Sequence, residues 1–100
     1  MIEIIVPDYN DSVIELEIKE NTYFFHFQYN SEGDYWALGV MDSEKKTIVA
    51  GIKIVANTNI FNGLYYTGIP FIKLYAVSKS DNVGREAFNN KTARLIYAEV

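Results

Sequence analysis

The sequence contains no cysteine, so neither a disulfide framework nor a thiolate zinc site can be built from it. Histidine occurs once, as His26, and any histidine-rich metal centre or Ser-His-Asp triad would rest on that single ring. Proline is confined to Pro7 and Pro70. No apolar run approaches the ~20 residues that a membrane-spanning helix requires, and the longest candidate is interrupted by Lys53. The opening residues MIEIIVPDYNDS show no basic stretch followed by a long apolar one, which argues against a secretory signal. The acceptor patterns Asn10-Asp11-Ser12 and Asn90-Lys91-Thr92 therefore carry no expectation of glycosylation. No Gly-Lys-Ser/Thr is present, so Gly63 and Gly68 read as turn residues rather than as a phosphate cradle. These absences describe a cysteine-free, cytosol-compatible chain with no membrane segment.

What is present suffices for one core. The 100 residues are 49% hydrophobic and 15% aromatic. A chain of this length buries about 65% of its extended surface on folding, enough for one domain over residues 1–100 and too little for two. The net charge of −4 conceals an asymmetry. Up to Glu44 ten acidic residues face one base, Lys19, a net of −9, and from Lys45 onward eight bases face Asp81, Glu86 and Glu99, a net of +5. Either the two halves pair within one fold and cancel, or they form an acidic and a basic face through which copies, or a copy and a partner, dock. The lysines are scattered rather than clustered, which disfavours nucleic acid as the partner.

The dominant period is two, the signature of strands with one buried and one wetter face. Ile2 to Val6 is a short β-branched run stopped by Pro7, and Asp8 to Ser12 is a turn cluster. Val13 to Ile18 places Ile14, Leu16 and Ile18 opposite Glu15 and Glu17. Thr22 to Tyr29 places Tyr23, Phe25, Phe27 and Tyr29 on one face, and Tyr35 to Met41 returns with Trp36, Leu38 and Val40. Thr47 to Val55 sends Ile48, Ala50, Ile52 and Ile54 one way, so these last three strands read as a meander. From Asn57 to Gly68 the pattern breaks into a long loop with room for one short strand. Phe71 to Val77 resumes it, Arg85 to Asn90 suits a single helical turn, and Lys91 to Val100 closes the chain as a strand. About seven strands with almost no helical period predict an all-β fold, a single small antiparallel β-barrel or sandwich. Phe25, Phe27, Trp36, Leu38, Ile52, Ile54, Leu74 and Leu95 are the expected core.

Chemistry is sparse. His26 sits in a strand between Phe25 and Phe27, a structural or surface position rather than that of a catalytic base. Glu15 and Glu17 project about 7 Å apart, a spacing compatible with a glycosidase pair, but nothing local raises either pKa and a solvated strand face explains them. The carboxylates that remain as metal ligands suit weakly held oxygen-ligated ions such as calcium better than zinc. No catalytic, cofactor or metal residue is assigned, and an enzyme is not expected. The surplus lies in the aromatics, which can stack on sugars or anchor a protein interface. Tyr65 and Tyr66 are adjacent in the irregular segment, so one sheet face cannot easily bury both. They are the interface candidates, with Lys73, Arg85 and Arg94 supplying positive charge from the same half, alongside Lys79 and Lys91.

The order of landmarks then carries a resemblance. It runs through Tyr23-Phe24-Phe25-His26-Phe27-Gln28-Tyr29-Asn30, Tyr35-Trp36-Ala37-Leu38, the turn at Asp42 and Val49-Ala50-Gly51-Ile52-Lys53-Ile54-Val55. It continues through Gly68-Ile69-Pro70-Phe71, Asn82-Val83-Gly84-Arg85 and Arg94-Leu95-Ile96-Tyr97. Over about residues 21 to 98 the chain resembles the small plug proteins of contractile-tailed bacteriophage baseplates, a family named for a cyanophage member. Residues 1 to 20 give no distinctive match, and the segment from Asn57 to Gly68 is longer than the pattern leads one to expect. The resemblance implies a non-enzymatic structural component of a phage or prophage tail, made in the bacterial host cytoplasm and seated in the virion baseplate. Its partners would be tail hub or tail-tube proteins, with a homo-oligomer as a further option and no cofactor. The competing class is a carbohydrate-binding or adhesion module stacking on Trp36 or on Tyr65 and Tyr66.

Overall fold

Alternating apolar and polar residues make strands whose single apolar face must be covered, and two such faces covering each other satisfy both. The computed structural model describes residues 1–99 and shows this arrangement. Seven strands run in chain order: β1 (Ile2–Ile4), β2 (Asp11–Ile18), β3 (Asn21–Asn30), β4 (Tyr35–Met41), β5 (Thr47–Lys53), β6 (Ile72–Ser78) and β7 (Ala93–Glu99). One sheet has the order β2-β3-β4-β5 and the other β1-β7-β6, with every strand pair antiparallel. The expected meander thus extends back to include β2. The fold is all-β as expected, and its form is two open sheets over one core rather than a closed barrel.

The core draws on both sheets. Phe25, Phe27, Trp36, Leu38 and Val40 from the four-stranded sheet meet Ile4, Ile72, Leu74, Ala76, Leu95 and Tyr97 from the three-stranded one, with Ile54, Phe61 and Phe88 closing the ends. Phe25 meets Phe27 and Phe61 edge-on, at centroid separations of 6.5 and 6.1 Å, the arrangement that aromatic quadrupoles favour. Seven of the eight expected core residues are buried, and Ile52 is half-buried.

The reason lies in β5. Leu38 faces Ile52, yet Val40 faces Val49, so the single residue Gly39 opposes two, Ala50 and Gly51. Gly51 takes φ +72°, the left-handed backbone that lets a strand absorb an extra residue. Beyond this bulge the faces exchange: Val49 turns toward the core and Ala50 is exposed, correcting the simple alternation expected through Ala50.

Several boundaries also differ from expectation: β2 starts at Asp11, because pairing with Gln28 and Phe27 draws Asp11 and Ser12 out of the expected turn cluster and into the ladder, and β3 and β6 shift by a residue. β1 stops at Ile4 and β5 at Lys53, two residues short in each case, while β7 starts at Ala93, and Val100 lies outside the described residues. Residues 54–71 contain no strand, although Asn59 bridges Tyr75 and Ala56 bridges Ala76. One turn of 3-10 helix, Tyr65–Thr67, ends at Gly68 with φ +100°. Residues 85–90 form turns with one helical-type bond, from Asn90 N–H to Glu86 O at 2.8 Å.

Candidate docking surface

The two ends of the molecule differ in character. At one end, Trp36 is buried with its indole Nε1 donating to the Gly84 carbonyl at 3.0 Å. Tyr29 and Phe88 meet its ring edge-on at 5.4 and 6.1 Å, and the Arg85 guanidinium lies 5.5 Å from the ring centroid. Arg85 also donates from Nη1 to Asp8 at 2.9 Å and from Nε to Asn10. Tyr29 donates its hydroxyl to Asp34, which also accepts from Asn82 Nδ2 at 2.8 Å. These contacts tie residues 8–10, the β3–β4 turn and residues 82–85 together. Donation to the Asp34 carboxylate, with smaller contributions from burial and from its charge, raises the Tyr29 pKa above its ordinary value. Arg85 is therefore half-buried and engaged on three sides, and Trp36 offers no face to a sugar.

The opposite end holds the tyrosine pair, and the two rings differ. Tyr65 is half-buried, donating its hydroxyl to the Ile72 carbonyl at 2.7 Å and accepting from Asn59 Nδ2 at 2.9 Å, with its ring 5.0 Å from Phe71. Tyr66 is 85% exposed and Phe71 54% exposed, and Lys19 Nζ stands 5.5 Å from the Phe71 ring. Phe71 leads directly into β6, so Lys73 lies close by in sequence.

Lys73 and Arg94 both point away from the core, on the outer face of the three-stranded sheet. Register sets Lys73 beside Ala98, Val77 beside Arg94, and Tyr75 between Asn59 and Ile96, with Glu3 completing that row. The face has a partly exposed apolar centre, Tyr75, Val77, Ile96 and Ala98, with charge around it. Neither Lys73 nor Arg94 has an ion-pair partner among the described residues. Of the five residues singled out in the sequence, Tyr66 and Lys73 share one end, Arg94 lies further along the same face, Tyr65 braces the loop, and Arg85 staples the far end. Phe71, Tyr75, Val77 and Ile96 were missed. Their outward phase in β6 and β7 was legible, but the sidedness of the sheet was not.

On the outer face of the other sheet, His26 Nε2 lies 2.6 Å from Asp11 Oδ1, and Gln28 donates from Nε2 to Asp11 Oδ2 at 3.3 Å. The His26 contact holds the Asp11 carboxyl below its ordinary range, more than offsetting the opposing effect of desolvation. His26 is thus a surface residue, as expected. Lys45 and Lys53 lie over Phe24 and Tyr35, at 5.0 and 4.9 Å.

The family model for the cyanophage baseplate Pam3 plug gp18 matches residues 1–100. The chain belongs to this baseplate plug family. The match includes residues 1–20, for which the sequence landmarks gave no resemblance. Membership carries a structural role in a phage tail baseplate and association with other baseplate components. No curated protein matches the chain. Among the described residues no helix of this plug protein is long and apolar enough to cross a membrane.

Proposed function

We propose that the chain is a non-enzymatic component of a phage or prophage tail that docks at the central hub as a plug, contacting hub or tail-tube proteins. The observation that carries this reading is the family match over the whole chain. The geometry supports it: the outer face of the three-stranded sheet combines an apolar centre with unpaired Lys73 and Arg94, and Tyr66 and Phe71 extend it at one end. An interface draws affinity from such aromatic anchors and orientation from the surrounding charge. The test is co-expression with the hub and tail-tube proteins of the same phage or prophage, followed by pull-down. Capture that weakens in Tyr66→Ala and in Lys73→Ala/Arg94→Ala supports the reading. Failure to capture any tail component sinks it.

A further inference from the structure

Four outer edges border the two sheets, and an exposed edge is a template for another strand unless something blocks it. Three are blocked. Along β6, Asn57 N–H donates to Ala76 O at 2.9 Å and Ile60 N–H to Leu74 O at 2.7 Å, while the Asn57 and Asn59 side chains accept from Ser78 and Leu74 N–H. Along β5, the register with β4 shifts twice, at Ala50-Gly51 and at Ile48, which breaks the even spacing of outward backbone groups. β1 has only 3 residues. β2 differs: its 8 residues pair with β3 in unbroken register from Asp11 with Gln28 to Ile18 with Asn21. No backbone hydrogen bond reaches its other side among the described residues.

The register also fixes which groups face outward. Tyr29 N–H donates to Asn10 O at 2.8 Å, which makes these two a hydrogen-bonded pair. Such pairs alternate along an antiparallel ladder, so Ser12, Ile14, Leu16 and Ile18 bond to β3. Asp11, Val13, Glu15 and Glu17 therefore turn their N–H and C=O groups to solvent. The two-residue turn Lys19-Glu20, with φ of 52° and 68°, requires the same phase at Ile18 and Asn21. The residues with free backbone groups thus carry three carboxylates and the exposed Val13. Glu15 and Glu17 have no hydrogen-bond or ion-pair partner among the described residues. Ile14 is only half-buried, although Phe25 and Val40 in its row across the sheet are fully buried.

We propose that β2 is an acceptor edge for an extended partner segment carrying lysine or arginine at alternate positions, added as a fifth strand of this sheet. The bases would meet Asp11, Glu15 and Glu17, and the intervening side chains would cover Ile14 and Leu16. A second β2 is the wrong occupant, because it would set the same carboxylates against one another. The baseplate reading enters only in naming the source of the partner.

Amide hydrogen exchange on the full chain tests the proposal. In the free protein the N–H groups of Val13, Glu15 and Glu17 exchange rapidly while those of Ile14 and Leu16 are protected. The probe is an octapeptide alternating lysine and valine, with a glutamate–valine octapeptide as control. The lysine peptide slows exchange at Val13, Glu15 and Glu17 by about tenfold or more, less so at high salt, and the control does not. Glu15→Lys/Glu17→Lys, which keeps the backbone, reverses the preference between the peptides. Glu15→Pro removes an outward donor without touching the β3 ladder and abolishes the protection. If the lysine peptide leaves those amides unprotected, or protects the charge-reversed variant equally well, the proposal is overturned. Capture of a tail component with the β2 amides still exchanging also overturns it while the plug reading stands. Peptide addition at β2 without capture of any tail component supports it at the expense of the plug reading.

Discussion

Leu38 is fully buried at the centre of β4, between Phe27 and Ile52 on the neighbouring strands. Leu38→Ala leaves a cavity there and is expected to cost about 2–5 kcal/mol by chemical denaturation; a loss below about half a kcal/mol would show that the core relaxes into the gap. Ser12 presents the reverse case. Its Oγ is buried on the inner side of β2 with no hydrogen-bond partner, so Ser12→Ala removes an unsatisfied group and should leave stability unchanged or raise it by about 1 kcal/mol. Asp11 supplies a pH signature. Its folded pKa lies below the ordinary 3.8, so its contribution is present above that value and fades as pH falls through the lower folded value. Asp11→Asn should therefore be less stable than the parent near neutral pH and lose that deficit in strong acid, as urea midpoints at the two pH values would show. Alternation in the sequence was enough to find Leu38. The partners of Asp11 and the lack of one at the Ser12 hydroxyl were not legible, because both depend on which strand lies alongside.

At the scale of elements, irregular segments do structural work that their composition hid. Asn57-Thr58-Asn59 reads as a loop breaker, yet Asn59 accepts from Leu74 and Phe61 N–H and donates to Tyr65. Asn59→Ala leaves the Leu74 amide without its partner and is expected to cost about 1–3 kcal/mol, with faster exchange at the Leu74 amide as the site-specific check. The β2–β3 turn carries the opposite imbalance. Glu20 sits at φ 68°, a region costly for a side chain. Glu20→Gly should stabilise by about 0.5–1 kcal/mol after allowing for the greater freedom of glycine in the unfolded chain. A thermal midpoint lower than that of the parent would show that the Glu20 side chain contributes more than the strain removes. The bulge in β5 belongs to this scale as well. Gly51 marked a possible irregularity, but only its pairing with β4 shows that Val49 replaces Ala50 on the inner face.

Across the whole molecule the charge asymmetry takes a mixed form. Arg85 joins the two halves through Asp8, while Lys73, Lys79, Lys91 and Arg94 remain exposed without ion pairs among the described residues. The acid-rich stretch supplies β2, β3 and β4 of one sheet, and Lys73 and Arg94 lie outside the other. The separation is partial, since Lys45 and Lys53 share the first surface with the carboxylates and Glu3 shares the second with Lys73 and Arg94. Lys73→Ala/Arg94→Ala should slow association with a captured tail partner at low salt and change little at high salt, because rim charges act mainly on encounter. Tyr66→Ala should instead raise the dissociation rate while leaving the thermal midpoint in place, since that ring is 85% exposed. Biosensor kinetics at two ionic strengths separate the two effects. Equal rates in all variants would place the docking surface elsewhere.

The sequence by itself determined the all-β class, β4 from Tyr35 to Met41, the burial of Phe25, Phe27, Trp36, Leu38, Leu74 and Leu95, and the family landmarks from residue 21 onward. Each of these rests on period-two alternation, on turn chemistry or on residue order, all of which are local to the chain. Only the tertiary structure decided that Tyr65 braces a loop while Tyr66 faces solvent, and that Arg85 closes one end of the core rather than standing free. It also decided that, among the described residues, β2 alone keeps a long, regular, uncovered edge. Those outcomes depend on contacts between residues as far apart as Arg85 and Asp8, or Asn57 and Ser78. Alternation specifies which side of a strand is apolar, but it carries no information about what lies beside the strand's edge.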